Sequence, residues 1–294
     1  MKQKIICFDV GGTNISRAVV EVDSKEKQFD FLDFETVKNP VKTELVKDIF
    51  LGYAKEQSSR RGTKLVAIST ARPVDKKEML VYGAQDYYGE KYFKFDFLKE
   101  AGFEIEIEND GKSFALGEYY FGQGRKEESI LALVIGTGIG CGYVGKNGKV
   151  LNGKKGFATE VEHQQIFFEG AWRRWGEFCG GRGIEDQYLK KTGTRKDAQD
   201  IFRTIEKDNN AGAVIEQAKE FLGVGIANLL TVFDPDKVII GGGVSNHKDF
   251  IEESFQIARQ NLFFGEYVDY SWDFTKLNRK ANLLGVSWKF FEEN

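Results

Sequence analysis

Cysteine is scarce in this chain. Only Cys7, Cys141 and Cys179 occur in 294 residues, an odd and widely scattered set that supports no disulfide framework and fits a reducing compartment. The same scarcity removes the four closely spaced soft ligands that a structural metal cage needs. Long apolar runs are missing too, since no stretch approaches the roughly 20 apolar residues that cross a bilayer. The start, Met1 to Val10, has a short basic beginning and a brief apolar run that ends in a carboxylate and two glycines, so no signal peptide is expected. These absences predict a soluble, cytoplasmic protein with no membrane partner. Neither sign of charge dominates: 42 basic residues stand against 45 acidic ones, for a formal net charge of -3. That balance gives no general attraction to nucleic acid or anionic lipid and favours small-molecule partners. No low-complexity linker is visible.

The length exceeds the usual size of one hydrophobic core and predicts two domains around a shared cleft. Two regions repeat a pattern of apolar strand, glycine turn and second strand. In the first, Ile5-Ile6-Cys7-Phe8 leads through Gly11-Gly12-Thr13-Asn14 to Ala18–Val22; in the second, Leu131–Ile135 leads through Gly136-Thr137-Gly138 to another strand, with a hairpin at Asn147-Gly148 suited to a type I′ turn. This weak self-similarity suggests a duplicated fold. Thr43 to Arg61 is predicted as a helix, Leu65 to Ser69 as a buried strand, Ala211 to Phe233 as a helix closing at Asp234-Pro235, and Lys237 to Ile240 as a strand. Asp197 to Asn210 is predicted as a surface helix and connection. Alternating helix and strand mean an α/β protein. The aromatic fraction of 14%, with 25 Phe, is high, and the pattern supplies no physical account of it.

Asp9-Val10-Gly11-Gly12-Thr13-Asn14 stands at a strand end, where glycines let backbone N–H groups approach an anion such as a polyphosphate. The bland alternative is a hairpin turn. Asp9, ending the strand beside that turn, can hold Mg²⁺ directly or through water. Gly136-Thr137-Gly138-Ile139-Gly140 makes a second such turn; it is no Walker A loop, lacking the Gly-Lys-Ser/Thr, and a strand rather than a helix follows it. Gly241-Gly242-Gly243 either lets a flat adenosine ring lie on the backbone or simply turns a strand into a helix. Glu108-Asn109-Asp110 ends an alternating segment before a helix expected near Lys112, so Asp110 is either an N-cap or a general base for a sugar hydroxyl. Glu160 and His163, three apart, share a face on a helix and can bind sugar hydroxyls, or form an ordinary surface pair. His247 is assigned no role.

In order, the segments Asp9–Asn14, Glu108–Glu118, Leu133–Gly140, Ala158–His163, Cys179–Gly193 and Leu222–Ser245 resemble the signature set of the ROK family of hexose kinases over nearly the whole chain. The most specific matches are Glu108-Asn109-Asp110 with Ala115-Leu116-Gly117-Glu118, and Ile226–Leu229 leading to Asp234-Pro235 and the triple glycine. The resemblance implies an actin-like ATPase fold, ribonuclease H-like, whose two α/β domains close over MgATP and a sugar. Its division here is expected to be 1–116 with 281–294 as the smaller N-terminal domain and 117–280 as the larger one. By the matched motifs, Asp9, Gly11, Gly12, Thr13 and Asn14 form the first phosphate loop, Gly136, Thr137 and Gly138 the second, and Gly241, Gly242 and Gly243 approach adenosine. Asp110 is implied as catalytic base, with Asn109, Glu160, His163 and Glu185 on sugar hydroxyls. Ala281-Asn282-Leu283-Leu284-Gly285 resembles the family's last helix, which packs back on the N-terminal domain.

Departures from the family pattern matter. Of the family's zinc cysteines only Cys179 remains, so no structural zinc is expected and His163 is left to the sugar. The sugar-binding glutamate maps to Glu185 or, one residue on, to Asp186, with Glu185 preferred. In Ser69–Asp75 the family's glycine is replaced by Arg72, which either recognises an anionic or unusually oriented substrate or lies in solvent; Glu162 replaces the glycine before His163. The implied activity is ATP-dependent phosphorylation of a hexose, commonly at the 6-hydroxyl, with ATP and Mg²⁺ as cofactors and a homodimer as a family habit. The alternatives are a sugar-responsive ROK regulator, whose helix-turn-helix domain has no visible counterpart here, and a non-catalytic sugar sensor.

Overall fold

Alternate residues of the first strand are buried on opposite faces. In a computed structural model of the chain, which describes residues 2–265 and 268–292, Lys2–Val10 turns Ile5 and Cys7 into one apolar cluster and Ile6 and Phe8 into another. A strand covered on both faces belongs at the centre of a layered sheet. The sheet order is Gln28–Lys38, Asn14–Asp23, Lys2–Val10, Leu65–Thr70, Glu104–Asn109, with the first three strands antiparallel and the last three parallel to one another. Parallel neighbours need crossover connections. The helix Thr43–Arg61, with the bounds expected from its sequence, supplies the first and lays Val46, Phe50, Tyr53 and Ala54 on the Phe8 face. The second crossover contains a three-stranded sheet of Val74–Asp75, Leu80–Tyr82 and Tyr92–Lys94, and the short helix Asp96–Glu100.

The abundance of phenylalanine is explained in part on this face. Phe8 stacks on Phe50 with ring centroids 4.2 Å apart, Tyr88 stacks on Phe93 at 4.2 Å, and Phe95 meets Phe93 edge-on at 5.0 Å. Large flat rings fill the wedge between sheet, helix and crossover with few rotatable bonds, and such pairs add about 0.5–1.5 kcal/mol beyond their burial.

Two helices, Asp110–Phe121 and Lys280–Trp288, cover the opposite face. Their crossing depends on glycine. A Cβ on Gly117 would collide with the Ala281 backbone, and one on Gly285 with the Ser113 carbonyl, so only hydrogen at these positions allows the helices to approach.

The chain divides into two compact units, residues 1–128, 142–159 and 276–294 in the first and 129–141 with 160–275 in the second. This division differs from the expected boundary after residue 116. The helix Asp110–Phe121 runs through that boundary as one element. Residues 142–159 join the first unit through Lys112 Nζ donating to the Gly156 carbonyl at 2.7 Å, Lys155 Nζ to Asp75 at 3.0 Å and Tyr120 Oη to the Gly148 carbonyl at 2.9 Å. A hairpin does turn at Asn147-Gly148, but not as type I′. Gly148 alone has a positive φ, 71°, and its N–H donates to the Gly145 carbonyl at 2.8 Å, which describes a type I turn ending in a left-handed glycine.

The second unit is built on Ile130–Ile135, Lys237–Gly241 and Ser271–Phe274, with the first half of the strand Ile139–Val144 beside Ile130–Ile135; Lys237–Gly241 runs parallel to Ile130–Ile135 and to Ser271–Phe274. Asp236 fixes the entry of two strands by accepting from Ser129 N and Oγ at 2.8 and 2.6 Å. The long helix Asn209–Phe233 packs against Lys248–Asn261 and, through Gly225, leaves room for the fully buried Trp175, whose Nε1 donates to the Phe221 carbonyl at 2.7 Å. Among the described residues no helix is long and apolar enough to cross a membrane.

Candidate functional site

In the first unit the parallel register aligns three strand ends. Asp9 lies beside Ser69 and Ser69 beside Glu108; one step on, Val10, Thr70 and Asn109 are neighbours. Carboxyl ends of parallel strands are where α/β sheets hold ligands, because the loops leave there with backbone groups unpaired.

The first glycine turn follows Val10. Its carbonyls are held from behind: Asn39 Nδ2 donates to the Gly11 carbonyl at 2.8 Å and Asn39 N to the Thr13 carbonyl at 2.8 Å. In a planar trans peptide the N–H points opposite to the C=O. The N–H groups of Gly12 and Asn14 therefore point away from Asn39, on the side where an anion can be met. Asn39 is nearly buried and also donates to the Tyr87 carbonyl at 2.9 Å. No signal in the sequence marks it, because its targets lie in other segments.

Asp9 Oδ1 accepts from Ser69 Oγ at 2.7 Å and from Asn282 Nδ2 at 3.2 Å. Burial raises the Asp9 pKa, and the Ser69 and Asn282 hydrogen bonds and the charge of Arg279 oppose the rise. A partly buried carboxylate with hard oxygen donors at a strand end fits the chemistry of a Mg²⁺ ligand, direct or through water. Ser69 and Asn282 were not singled out as site residues by sequence reasoning, and Asn282 is 273 positions away from its partner.

Asn109, not Asp110, caps the following helix: its side chain accepts from Lys112 N at 3.3 Å and its amide donates to the Arg72 carbonyl at 3.3 Å. Asp110 begins the helix, half-buried, with Oδ1 accepting from Gly111 N at 2.8 Å. Tyr88 reports on both carboxylates: burial pushes its phenol pKa up, the Thr70 hydroxyl bond opposes this, and the charges of Asp9 and Asp110 add to the rise. Arg72 adopts φ 85°, the left-handed region that favours the glycine of the family pattern. Its guanidinium neither reaches out nor lies free; it sits 3.6 Å from Asp86 and over the Tyr87 ring at 5.7 Å.

In the second unit the turn Gly136-Thr137-Gly138 is organised by backbone instead of side chain. Gly181 N donates to the Gly136 carbonyl at 2.8 Å and Arg182 N to the Thr137 carbonyl at 2.9 Å, both from the start of the helix Gly181–Thr192. These otherwise unpaired helix donors turn the Thr137 and Gly138 N–H groups the opposite way. Gly241-Gly242-Gly243 ends the neighbouring parallel strand, with Gly241 in register with Val134. Gly242, at φ 94°, presses on the Ile135 backbone where any Cβ would collide, whereas Gly243 faces open space. A short 3₁₀ turn, Val244–Asn246, precedes the helix Lys248–Asn261.

Glu160 and His163 flank one 3₁₀ turn, Val161–His163, closed by His163 N donating to the Glu160 carbonyl at 3.2 Å. Three residues per turn bring their positions onto one face, as the spacing suggests for a helix. His163 is exposed, its Nε2 3.5 Å from Glu162 Oε1. Glu185 Oε1 accepts from Ala198 N at 3.1 Å, at the start of the helix Ala198–Arg203. One oxygen of that carboxylate is thus engaged by a backbone amide, and Asp186 is the next residue in the chain. Cys179 is buried, its thiol donating to the Trp175 carbonyl at 3.5 Å and its pKa pushed up by burial. Among the described residues no group of three or more His, Cys, Asp or Glu side chains is arranged to hold a metal ion.

Known proteins resemble this chain in sequence and in fold. The sequence is 30% identical over 268 residues to an N-acetyl-D-glucosamine kinase of Vibrio parahaemolyticus, covering 84% of this chain and 86% of that one. It is 31% identical over 275 residues to an N-acetyl-D-glucosamine kinase of Pasteurella multocida, covering 85% and 87%. In structure it is similar to a ROK hexokinase from Thermus thermophilus, with TM-score 0.83, 26% identity and coverage of 97% of this chain and 96% of that one. A ROK glucokinase from Streptomyces griseus, solved with glucose and AMPPNP, gives TM-score 0.77 at 26% identity, with 97% and 98% covered. The architecture is the α/β actin-like ATPase fold of these proteins. The ROK family model matches residues 5–291, nearly the whole chain, and the chain belongs to the ROK family.

Proposed function

We propose that the chain is an ATP-dependent sugar kinase that transfers the γ-phosphate of ATP to a hydroxyl of a hexose or hexose derivative, the 6-hydroxyl being the expected acceptor. The observation that carries this reading is the edge of the first unit, where the glycine turn, Asp9, and the Asn109-Asp110 pair stand together at the ends of three parallel strands. Asp110, oriented by the Gly111 N–H, accepts the proton of the attacking hydroxyl. Asn109, whose amide is oriented by the Arg72 carbonyl, binds a sugar hydroxyl, and Glu160 and His163 bind others. The carboxylate at Glu185 or Asp186 completes the set; Asp186 gains weight because Glu185 is committed to Ala198 N.

The turns Gly11–Asn14 and Gly136–Gly138 receive phosphate oxygens through the N–H groups of Gly12 and Asn14 and of Thr137 and Gly138, since Gly11 N and Gly136 N donate to the Asn14 and Gly138 carbonyls within the turns, and Gly241 to Gly243 approach the adenosine, with Gly243 open on its Cα side. Mg²⁺ supplies neutralisation of the phosphate charge, and Asp9 would hold it, directly or through water. Positioning and charge do most of the work in phosphoryl transfer, and the base adds about 10²–10⁴-fold.

The names of the 30% identical relatives support N-acetyl-D-glucosamine as the first substrate to try. ADP release from ATP and Mg²⁺ is to be measured over neutral and N-acetylated hexoses. Sugar-dependent turnover supports the kinase, with the best kcat/KM naming the sugar. ATP binding without turnover on any sugar would favour a sensor instead.

A further inference from the structure

Glu162 stands where the family pattern has glycine, and nothing in the mechanism above uses it. Its carboxylate is fixed on both sides within the second unit. Oε2 accepts from Ile139 N at 3.0 Å, and Oε1 lies 3.5 Å from His163 Nε2. Ile139 is the amide that follows the Gly136-Thr137-Gly138 turn directly. Oε2 also touches the turn itself, since a Cβ built on Gly138 would collide with it. The backbone of Gly176 approaches the Glu162 stem from behind: a Cβ there would lie 3.1 Å from Glu162 Cβ.

The turn is therefore already partnered by an anion. The Gly181–Thr192 helix holds its carbonyls, which leaves the amide side for negative charge, and a carboxylate sits on the amide that closes that side. The Glu162 side chain keeps 31% of its surface exposed, so its charge is only partly screened. A polyphosphate approaching the neighbouring Thr137 and Gly138 amides meets like charge, and salt weakens the repulsion.

We propose that Glu162 is an internal competing anion that lowers the affinity of the second glycine turn for nucleotide phosphates and speeds the departure of ADP. The inference rests on the proposed use of that turn for ATP phosphates. It makes a prediction of unusual sign, because removing a hydrogen-bonding side chain should tighten binding. In the full-length protein, ADP with Mg²⁺ is titrated by calorimetry against wild type, Glu162→Gln and Glu162→Gly, with adenosine as the phosphate-free control.

Glutamine keeps an oxygen for Ile139 N and removes only the charge. The expected result is an ADP Kd about tenfold lower in both variants, a narrower difference at high salt, and adenosine affinity unchanged. A residue of purely structural importance would give weaker binding of both ligands. Wild type that binds ADP, with either variant binding it equally or more weakly, overturns the inference and leaves the kinase reading intact. Wild type that binds neither ATP nor ADP overturns both.

Discussion

The two glycine turns look alike in sequence and are built differently. In the first unit a distant side chain, Asn39, grips the turn from behind, and the nearby carboxylate, Asp9, comes from the same strand and is held by Ser69 and Asn282. In the second unit the start of the Gly181–Thr192 helix grips the turn through backbone N–H groups, and the nearby carboxylate, Glu162, arrives from another segment and occupies an amide. Similar strand-turn-strand patterns thus conceal one turn that depends on side chains and another that depends on a helix end. On the proposed function, the carboxylate beside the first turn would hold the cation, whereas the one beside the second takes a backbone donor.

The comparison can be broken most severely at Asp9. Asp9→Asn should lower kcat/KM by about 10²-fold or more, because the charge facing the cation is lost. The same variant should melt at a higher temperature. Burial raises the Asp9 pKa in the fold, so its contribution to stability is present at low pH and lost as pH rises through the folded value. At neutral pH the ionised group is a burden, which asparagine removes, and the gap between variant and wild type should shrink as pH falls. Scanning calorimetry at two pH values checks this, and a lower melting temperature for the variant would contradict it.

A smaller effect is expected at Asn39. Truncation to alanine strips a donor from the Gly11 and Tyr87 carbonyls, and should cost about 1–3 kcal/mol of stability and raise KM for ATP about tenfold. Urea unfolding and ATP titrations measure both, and an unchanged KM would show that the first turn holds itself.

The smallest effect is expected at Arg72, where the backbone rather than the side chain serves the site. Arg72→Gly relieves the left-handed φ of 85° but loses an exposed ion pair and a ring contact, terms of about 1 kcal/mol each and opposite in sign. Stability within about 1 kcal/mol of wild type and kcat/KM within about twofold are expected, since the Arg72 carbonyl still orients Asn109. A change in sugar preference would instead give the guanidinium a part in recognition.

Local patterns made much of this legible. The helix Thr43–Arg61, the strand at Leu65 and both glycine turns follow from period, apolar runs and turn chemistry, because each is specified within a few residues. What could not be read is what depends on distance in sequence. Asn39, Ser69 and Asn282 are ordinary polar residues until the fold brings their partners to them. Part of the phenylalanine content is accounted for once Phe8, Phe50, Phe93 and Phe95 meet in one cluster. The hairpin Gln165–Phe168 with Ala171–Arg174, whose Phe167 and Trp172 stay exposed, had no reading in advance, because its rings do not follow the rule that apolar residues are buried. The cap at Asn109 rather than Asp110 was a matter of one residue, beyond the resolution of helix-start signals.

The most direct test is at Asp110. Single-turnover phosphorylation of the best sugar should fall about 10²–10⁴-fold in Asp110→Asn while ADP affinity and melting temperature stay near wild type, as expected for a base that acts only on the reacting hydroxyl. Turnover within a few-fold of wild type, in a variant that still binds sugar and nucleotide, would contradict the central claim that this strand-end edge performs the chemistry.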